Sequence, residues 1–162
     1  INGQIDAWLP VNEAVGGDTA FIIPNTDTTL TIPSTSERVI TVGAYDSVNI
    51  STVGFSGRGY TRATEYIKPD LVAPGVNILT TTVGGSITSF TGTSVAAPFV
   101  AGSVALLMEW GIVDRNDIFL YGERLKAFLC NGAIRDNSRE YPNREWGYGR
   151  LCLKNTLDLL KK

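Results

Sequence analysis

The thirteen residues 90–102 constrain the fold more than any other stretch of this chain. They pass from a polar turn marked by Gly92 into an apolar run of helical length, and Ser94 stands at the junction. A serine there can act as an N-cap, because its side-chain oxygen accepts a hydrogen bond from a free backbone N–H. It would also expose a hydroxyl at the positive end of the helix, where backbone N–H groups can stabilise an oxyanion. The local pattern therefore predicts a capping serine or a nucleophile.

The helix that follows Ser94 has almost no polar face. Apolar residues recur from Val95 to Met108, so we expect this helix to run through the core of the domain. Pro98 is tolerable only because it lies near the helix start, where it removes one backbone hydrogen bond. Gly111 is expected to end the helix.

Two short apolar runs predict strands that are buried in a parallel sheet, namely residues 39–44 and 71–73. Two amphipathic patterns downstream predict further helices. The first includes Leu125 and Leu129 and stops at Gly132, and the second runs through Leu153 and Leu160. The fold class predicted for this part of the chain is α/β.

The first 32 residues are predicted to form a separate, β-rich segment. Short apolar groups at 5–9, 20–23 and 28–32 are separated by turn residues, which is typical of short strands. The predicted domain division is therefore 1–32 and 33–162. Because the chain begins with Ile1 rather than Met, we expect it to be part of a longer protein.

Composition excludes several classes of function. A net charge of -2 over 162 residues gives no reason to expect nucleic acid or an anionic membrane as a partner, and no apolar run reaches about 18 residues. Cys130 and Cys152 form no metal-ligand spacing, so they are predicted to be buried free thiols unless the fold brings them together in one disulfide. No cofactor or catalytic metal is expected, although carbonyl oxygens could bind a structural calcium ion.

Two other motifs carry little chemical signal. Asp46 follows the first predicted strand, and a single turn aspartate is usually a local hydrogen-bond acceptor. Gly57 and Gly59 form a Gly-x-Gly, but the third glycine of a dinucleotide fingerprint is absent and no helix pattern follows. We therefore predict no phosphate-binding loop.

Three motifs, taken in order, resemble the subtilisin-like serine proteases. Residues 92–102 read Gly-Thr-Ser-x-Ala-Ala-Pro-x-Val-Ala-Gly, which is similar to the nucleophile motif of that family. Residues 55–59 and 68–78 resemble the stretch that precedes it, and the Trp-Gly-x-Gly of residues 146–149 resembles the C-terminal end. The resemblance covers about residues 33–160. It implies the C-terminal part of a three-layer α/β fold with parallel strands and a buried nucleophile helix.

The resemblance also implies roles for individual residues. Ser94 matches the nucleophile, its backbone N–H matches one oxyanion donor, and Thr93 is a supporting hydroxyl. Val95 and Phe99 stand where methionine and histidine are common in the family. The chain has no histidine, no Asp-Ser/Thr-Gly motif and no Gly-Asn oxyanion motif. The resemblance thus implies a parent serine endopeptidase whose catalytic His and Asp lie upstream, and it implies that this chain alone is inactive.

Within that family, residues 121–126 and 141–149 look most like the clostridial Csp-type group, which processes cortex hydrolases during spore germination. That group carries a jelly-roll insertion, and residues 1–32 would be its end.

The alternative is a pseudoprotease that senses a ligand or holds a partner. The implied partners are a polypeptide substrate and the upstream part of the protease domain. The implied location is extracellular, in the cell envelope or in the spore. The isolated chain is expected to self-associate because strand edges and apolar surface would be exposed.

Overall fold

A small mixed sheet lies at the centre of the fold. The computed structural model of the chain describes residues 5–9, 18–62 and 64–161. In the sheet, β1 (Val42–Asp46) lies between β2 (Ser51–Thr52) and β3 (Leu71–Pro74). β1 runs antiparallel to β2 and parallel to β3, with Val42 opposite Leu71. The short apolar runs form these strands because their central residues are buried on both faces.

Residues 149–151 extend the sheet beyond β3. The backbone N–H of Leu151 donates to the carbonyl oxygen of Val72 at 2.9 Å, and the N–H of Val72 donates to Gly149 at 3.0 Å. One face of the sheet is covered by Trp146, which packs with Tyr45 of β1 and Val72 of β3. The centroids of the Trp146 and Tyr45 rings are 5.6 Å apart. Trp146, which is only 2% exposed, is therefore a packing residue.

The remaining elements follow the sheet in the chain. They are a hairpin of β4 (Ile78–Thr81) and β5 (Ile87–Phe90), then α1 (Thr93–Met108), a π-helical turn (Glu109–Val113), α2 (Gly122–Gly132) and α3 (Leu153–Leu160). The core joins Ala44, Leu71 and Ala73 of the sheet to apolar residues of α1 and α2. The mixed α/β architecture with parallel strands confirms the predicted fold class.

Helix α1 is buried along one side only. Its buried residues, Ala96, Val100, Ser103 and Leu107, are spaced four, three and four apart and form one stripe. The opposite side is exposed, including Leu106 at 54% and Met108 at 37%. We expected core residues all around this helix. In the structure, only the side that faces β1 and β3 is buried in the core. Within the described part of the chain, no element covers the other side.

The predicted end of α1 at Gly111 was wrong, and of the two alternatives for Ser94 the N-cap is not what the structure shows. The N-cap residue is Gly92, which has no side chain, so Ser94 is the second residue of the helix and not its cap. At the other end, Gly111 lies inside the π-helical turn that continues α1 to Val113. A Cβ on Gly111 would lie 2.9 Å from Leu120, so this glycine is needed for close packing and not for helix termination.

The helical stretch Thr93–Val113 is, by length and composition, apolar enough to cross a membrane. The expectation that no apolar segment reaches this length was therefore wrong. A core helix meets the same criterion, and the buried stripe of α1 packs on the sheet as a core helix does.

The expected short strands near the N-terminus are absent from the described residues 5–9 and 18–33. Isolated ion pairs and hydrogen bonds attach this segment to the rest of the domain instead. Asp27 pairs with Arg144, and the backbone N–H of Thr29 donates to the carbonyl oxygen of Arg58 at 2.9 Å. A strand needs a ladder of such bonds to one neighbour, which these isolated contacts do not provide. Residues 1–4 and 10–17 of the predicted segment lie outside the described residues.

A buried ion cluster fixes the start of β3. The Asp70 carboxylate accepts hydrogen bonds from Lys68 Nζ at 2.8 Å, from the Thr41 backbone N–H at 2.6 Å, and from Lys126 Nζ at 2.7 Å. Lys126 also donates to the carbonyl oxygen of Val39. The cluster therefore joins β3, the loop before β1 and helix α2.

We predict that Asp70→Ala lowers the free energy of unfolding by about 3–5 kcal/mol, because it leaves the buried Lys68 ammonium without a counter-charge. Urea denaturation measures the change. Arg38→Ala is the control, since the exposed Arg38 and Glu123 side chains are 3.7 Å apart and should contribute little. Equal stability of the two variants would contradict this account of the cluster.

Candidate active site

Ser94 lies at the edge of the sheet where the parallel strands β1 and β3 end. The chain leaves β3 at Pro74, passes through the β4–β5 hairpin, and returns to start α1 at Thr93. In open sheets of this kind, the carboxyl ends of parallel strands are the usual place for ligands. The Ser94 side chain is exposed to solvent there.

Two glycines connect the strand ends to the start of α1. The N–H of Gly92 donates to the carbonyl oxygen of Gly75 at 2.8 Å, and the N–H of Gly75 donates to Tyr45 at 3.1 Å. A Cβ on Gly75 would lie 2.6 Å from the Ala44 Cβ and 3.0 Å from the Gly92 oxygen. Only glycine permits this approach, so Gly75 determines how closely the first turn of α1 lies to the sheet.

The first turn of α1 offers hydrogen-bond donors around Ser94. In the described part of the chain, the Ser94 hydroxyl and the backbone N–H groups of Thr93 and Ser94 make no hydrogen bond. No acidic side chain lies in this turn, so the positive end of the helix dipole is not neutralised locally. The arrangement can stabilise negative charge that develops beside the Ser94 hydroxyl.

The sequence offers no histidine as a general base for Ser94. In addition, no charged residue occurs between Asp70 and Glu109. A serine hydroxyl is a weak nucleophile unless an adjacent base removes its proton. The described residues therefore place an exposed serine hydroxyl beside backbone N–H groups that make no hydrogen bond, and the sequence offers no histidine to activate it.

Asp46 takes no part in this site. Its carboxylate accepts hydrogen bonds from the Val48 backbone N–H at 2.9 Å and from the Asn49 side chain at 2.7 Å. These bonds, that from Val48 above all, hold the pKa of Asp46 below its ordinary value. Asp46 is thus the local acceptor expected from its position in a turn.

Gly57 and Gly59 do not form a phosphate-binding loop, because no helix follows them. Gly59 serves close packing instead, since a Cβ there would lie 2.1 Å from the carbonyl oxygen of Lys68. Across the described residues, no group of three or more metal-ligating side chains comes together.

A cavity of about 530 Å³ lies beside the buried ion cluster, away from Ser94. Lys68, Asp70, Lys126 and Cys130 contribute to its wall. The two ammonium groups are already bonded to Asp70 and to backbone carbonyls, which is typical of a structural cluster. Burial raises the pKa of the Cys130 thiol to about 11, and the nearby Asp70 carboxylate adds to the effect. Cys130 is therefore not an activated thiol.

Sequence reasoning identified Ser94 and Thr93 but missed the connection between Gly75 and Gly92. The Pro-Gly of residues 74–75 indicated only a turn. The sequence does carry one unusual feature here, which is the run of 38 uncharged residues between Asp70 and Glu109 (109 − 70 − 1). The run includes exposed positions on the hairpin and on α1.

Comparisons with known proteins agree on one family. The model of the subtilase family matches residues 11–149. The solved structure of the CspB protease from Clostridium perfringens has 50% sequence identity to this chain and a TM-score of 0.85, and the match covers 89% of this chain and 31% of that protein.

Curated proteins give the same result. The serine protease AprX of Bacillus subtilis is 31% identical over 149 residues, covering 80% of this chain and 32% of AprX. The uncharacterized protein aq_aa18 of Aquifex aeolicus is 34% identical over 137 residues, covering 71% of this chain and 59% of that protein. The chain thus spans less than two thirds of each of these relatives.

The two cysteines are free thiols, and they should differ in reactivity. We predict that a thiol reagent at pH 8 modifies the half-buried Cys152 at least about tenfold faster than Cys130, because a thiol of pKa about 11 is only about 0.1% ionised there. Peptide mapping by mass spectrometry measures both rates. Urea should remove the difference, and equal rates in the folded chain would contradict the buried environment of Cys130.

Proposed function

Because the chain belongs to the subtilase family, we propose that the protein of which it forms part is a serine endopeptidase that acts through Ser94. The observation that carries the proposal is the exposed Ser94 hydroxyl in the first turn of α1, beside two backbone N–H groups that have no acceptor in the described structure. This is the arrangement that acyl transfer to a serine requires.

The proposed reaction has two steps. A base outside this chain removes the proton from the Ser94 hydroxyl, whose oxygen attacks the carbonyl carbon of the peptide bond. The N–H of Ser94 stabilises the resulting oxyanion, with Thr93 as support, until the C–N bond breaks and the leaving amine takes a proton. Water then attacks the acyl-enzyme ester, which releases the new carboxylate and restores the serine.

The same chemistry makes the isolated chain inactive. With no histidine in the sequence, the Ser94 proton has no nearby acceptor of suitable basicity. In subtilisin, the prototype of this family, loss of the catalytic histidine lowers kcat by about 2 × 10⁶. We therefore place the catalytic His and Asp in the upstream part of the parent protein.

The Csp-type branch is the proposed subgroup. The 50% identity to the CspB protease over 89% of this chain supports it. We propose, on that basis, that the parent protein cleaves a polypeptide during spore germination.

A fluorophosphonate probe tests the proposal on the full parent protein. We expect one adduct, mapped to Ser94 by mass spectrometry, because such probes phosphonylate serines that a neighbouring base activates, with loss of fluoride. Ser94→Ala should abolish labelling. Ser89→Ala, on the exposed strand β5, is the matched control and should leave labelling unchanged. The isolated chain should react at least about 10⁴-fold more slowly.

Absence of an adduct on the parent protein, under conditions that label an active subtilase, would contradict the proposed endopeptidase. It would favour the alternative of a pseudoprotease that binds a ligand or a partner. An adduct on Ser94 of the isolated chain at the rate of the parent would contradict the requirement for an upstream base.

We also propose that the upstream part of the parent covers the exposed side of α1. From Ala97 to Met108 the exposed residues on this side carry no polar side chain; they include Ala97, Ala101, Ala105 and Leu106. In addition, β1 pairs with β2 only at Tyr45 and Asp46, so the described sheet has no strand beside the earlier part of β1 on that side. An uncovered helix face and an open strand edge both favour association.

The isolated chain should therefore self-associate at micromolar concentration, as measured by light scattering. Leu106→Glu should shift it towards the monomer, because a charge on the apolar side of α1 resists burial. Ile118→Glu is the matched control, since both residues are 54% exposed but Ile118 lies outside α1. A monodisperse monomer of the unmodified chain would contradict this prediction.

A further inference from the structure

Two separate hydrogen bonds attach the turn before Ser94 to the chain that follows β3. One joins two backbones, from the Gly92 N–H to the carbonyl oxygen of Gly75 at 2.8 Å. The other uses a side chain, because the Asn77 backbone N–H donates to the hydroxyl oxygen of Thr91 at 2.9 Å. Thr91 lies just before the motif of residues 92–102, and the proposed reaction gives it no part.

The Thr91 hydroxyl takes over where the ladder of the β4–β5 hairpin ends. Ile78 lies opposite Phe90 in that ladder, so Asn77 and Thr91 would form the next pair. Asn77 has a φ of 52°, which is left-handed and not extended, so the regular ladder cannot continue there. The side-chain oxygen accepts the Asn77 N–H at this point and keeps the hairpin attached to the turn.

Two attachment points fix an orientation that one hydrogen bond leaves free. A single bond restrains one distance, but the attached segment can still rotate about it. Thr91 and Gly92 are consecutive and are held at two different residues after β3. The carbonyl oxygen of Gly92 then accepts the Val95 N–H at 3.2 Å, which closes the turn that contains Thr93 and Ser94. The orientation of residues 91–92 is thereby passed on to Ser94.

Solvent exposure separates this role from a contribution to overall stability. Thr91 and Asn77 are both exposed, and a hydrogen bond between exposed neutral groups adds little to the stability of a domain. Acyl transfer is far more sensitive to position, since a displacement of about 1 Å can cost about 100-fold in rate.

We propose that the Thr91 hydroxyl is a positioning group for the reaction at Ser94. It holds the turn so that the Ser94 hydroxyl and the Ser94 N–H keep the geometry for attack and for oxyanion binding. Thr91 acts through the turn and not on the reacting atoms. The inference rests on the proposed function of Ser94, and it extends the machinery to a residue outside the family motif.

The chain offers a conservative variant and a matched control. Thr91→Val removes the accepting oxygen while it keeps the branched shape, and Thr91→Ser keeps the oxygen. Thr88→Val makes the same change on the exposed strand β5, where the Thr88 side chain has no hydrogen bond within the described part of the chain.

The test measures steady-state cleavage of a peptide, selected from a defined library, and the rate of fluorophosphonate labelling, both with the full parent protein. Thr91→Val should lower kcat and the labelling rate by about three- to tenfold, which is the effect of one hydrogen bond, and leave KM within about twofold. Thr91→Ser should keep at least about half of kcat, and Thr88→Val should change nothing. The melting temperature should move by no more than about 2 °C in any variant.

The outcomes separate the positioning role from the proposed function. If the parent is active and Thr91→Val equals it, or if Thr91→Ser loses as much kcat as Thr91→Val, the positioning role is overturned and the endopeptidase stands. A higher KM at unchanged kcat would also overturn it, because Thr91 would then bind substrate directly. A parent that neither cleaves the library nor reacts with a fluorophosphonate overturns both. Loss of kcat that serine restores supports the proposal.

Discussion

The hydrogen bond from the Gly92 N–H to the carbonyl oxygen of Gly75 is the constraint on which the candidate site depends. It joins the end of β3 to the residue that caps α1, although sixteen residues and a hairpin separate them in the chain (92 − 75 − 1). Because a Cβ on Gly75 would meet both Ala44 and Gly92, the sheet and the helix can approach only where glycine stands. The position of Ser94 therefore follows from packing at Gly75 and not from a side-chain cap.

Charged residues are distributed unevenly between the two ends of β3. Charges concentrate at the opposite end of β3, where Asp70 holds two lysines in the core. The 38 residues that follow Asp70 are uncharged, which leaves the first turn of α1 with an unopposed positive dipole and no base. Under the proposed function, this part of the chain would supply the serine and the oxyanion donors, and the base would come from outside it.

Elements with strong apolar periodicity could be predicted from the sequence. Features that depend on tertiary contacts, such as the exact ends of a helix, could not. The strand at β3, the three helices and the place of Ser94 were predictable because apolar spacing and a specific motif coincide. The ends of α1 were not, since a buried contact with Leu120 requires Gly111, and Gly92 takes the cap position that was one of two alternatives for Ser94. The strands expected before residue 33 were also wrong, because β-branched residues do not form a strand without a neighbouring ladder.

The central claim is that Ser94 is a nucleophile whose base lies outside this chain. A crystal structure of the full parent protein tests it most directly through the distance from the Ser94 hydroxyl oxygen to the nearest imidazole nitrogen. We expect a histidine from the upstream part within about 2.6–3.2 Å, with a carboxylate on its other nitrogen. A structure in which no histidine can reach Ser94 would contradict the claim.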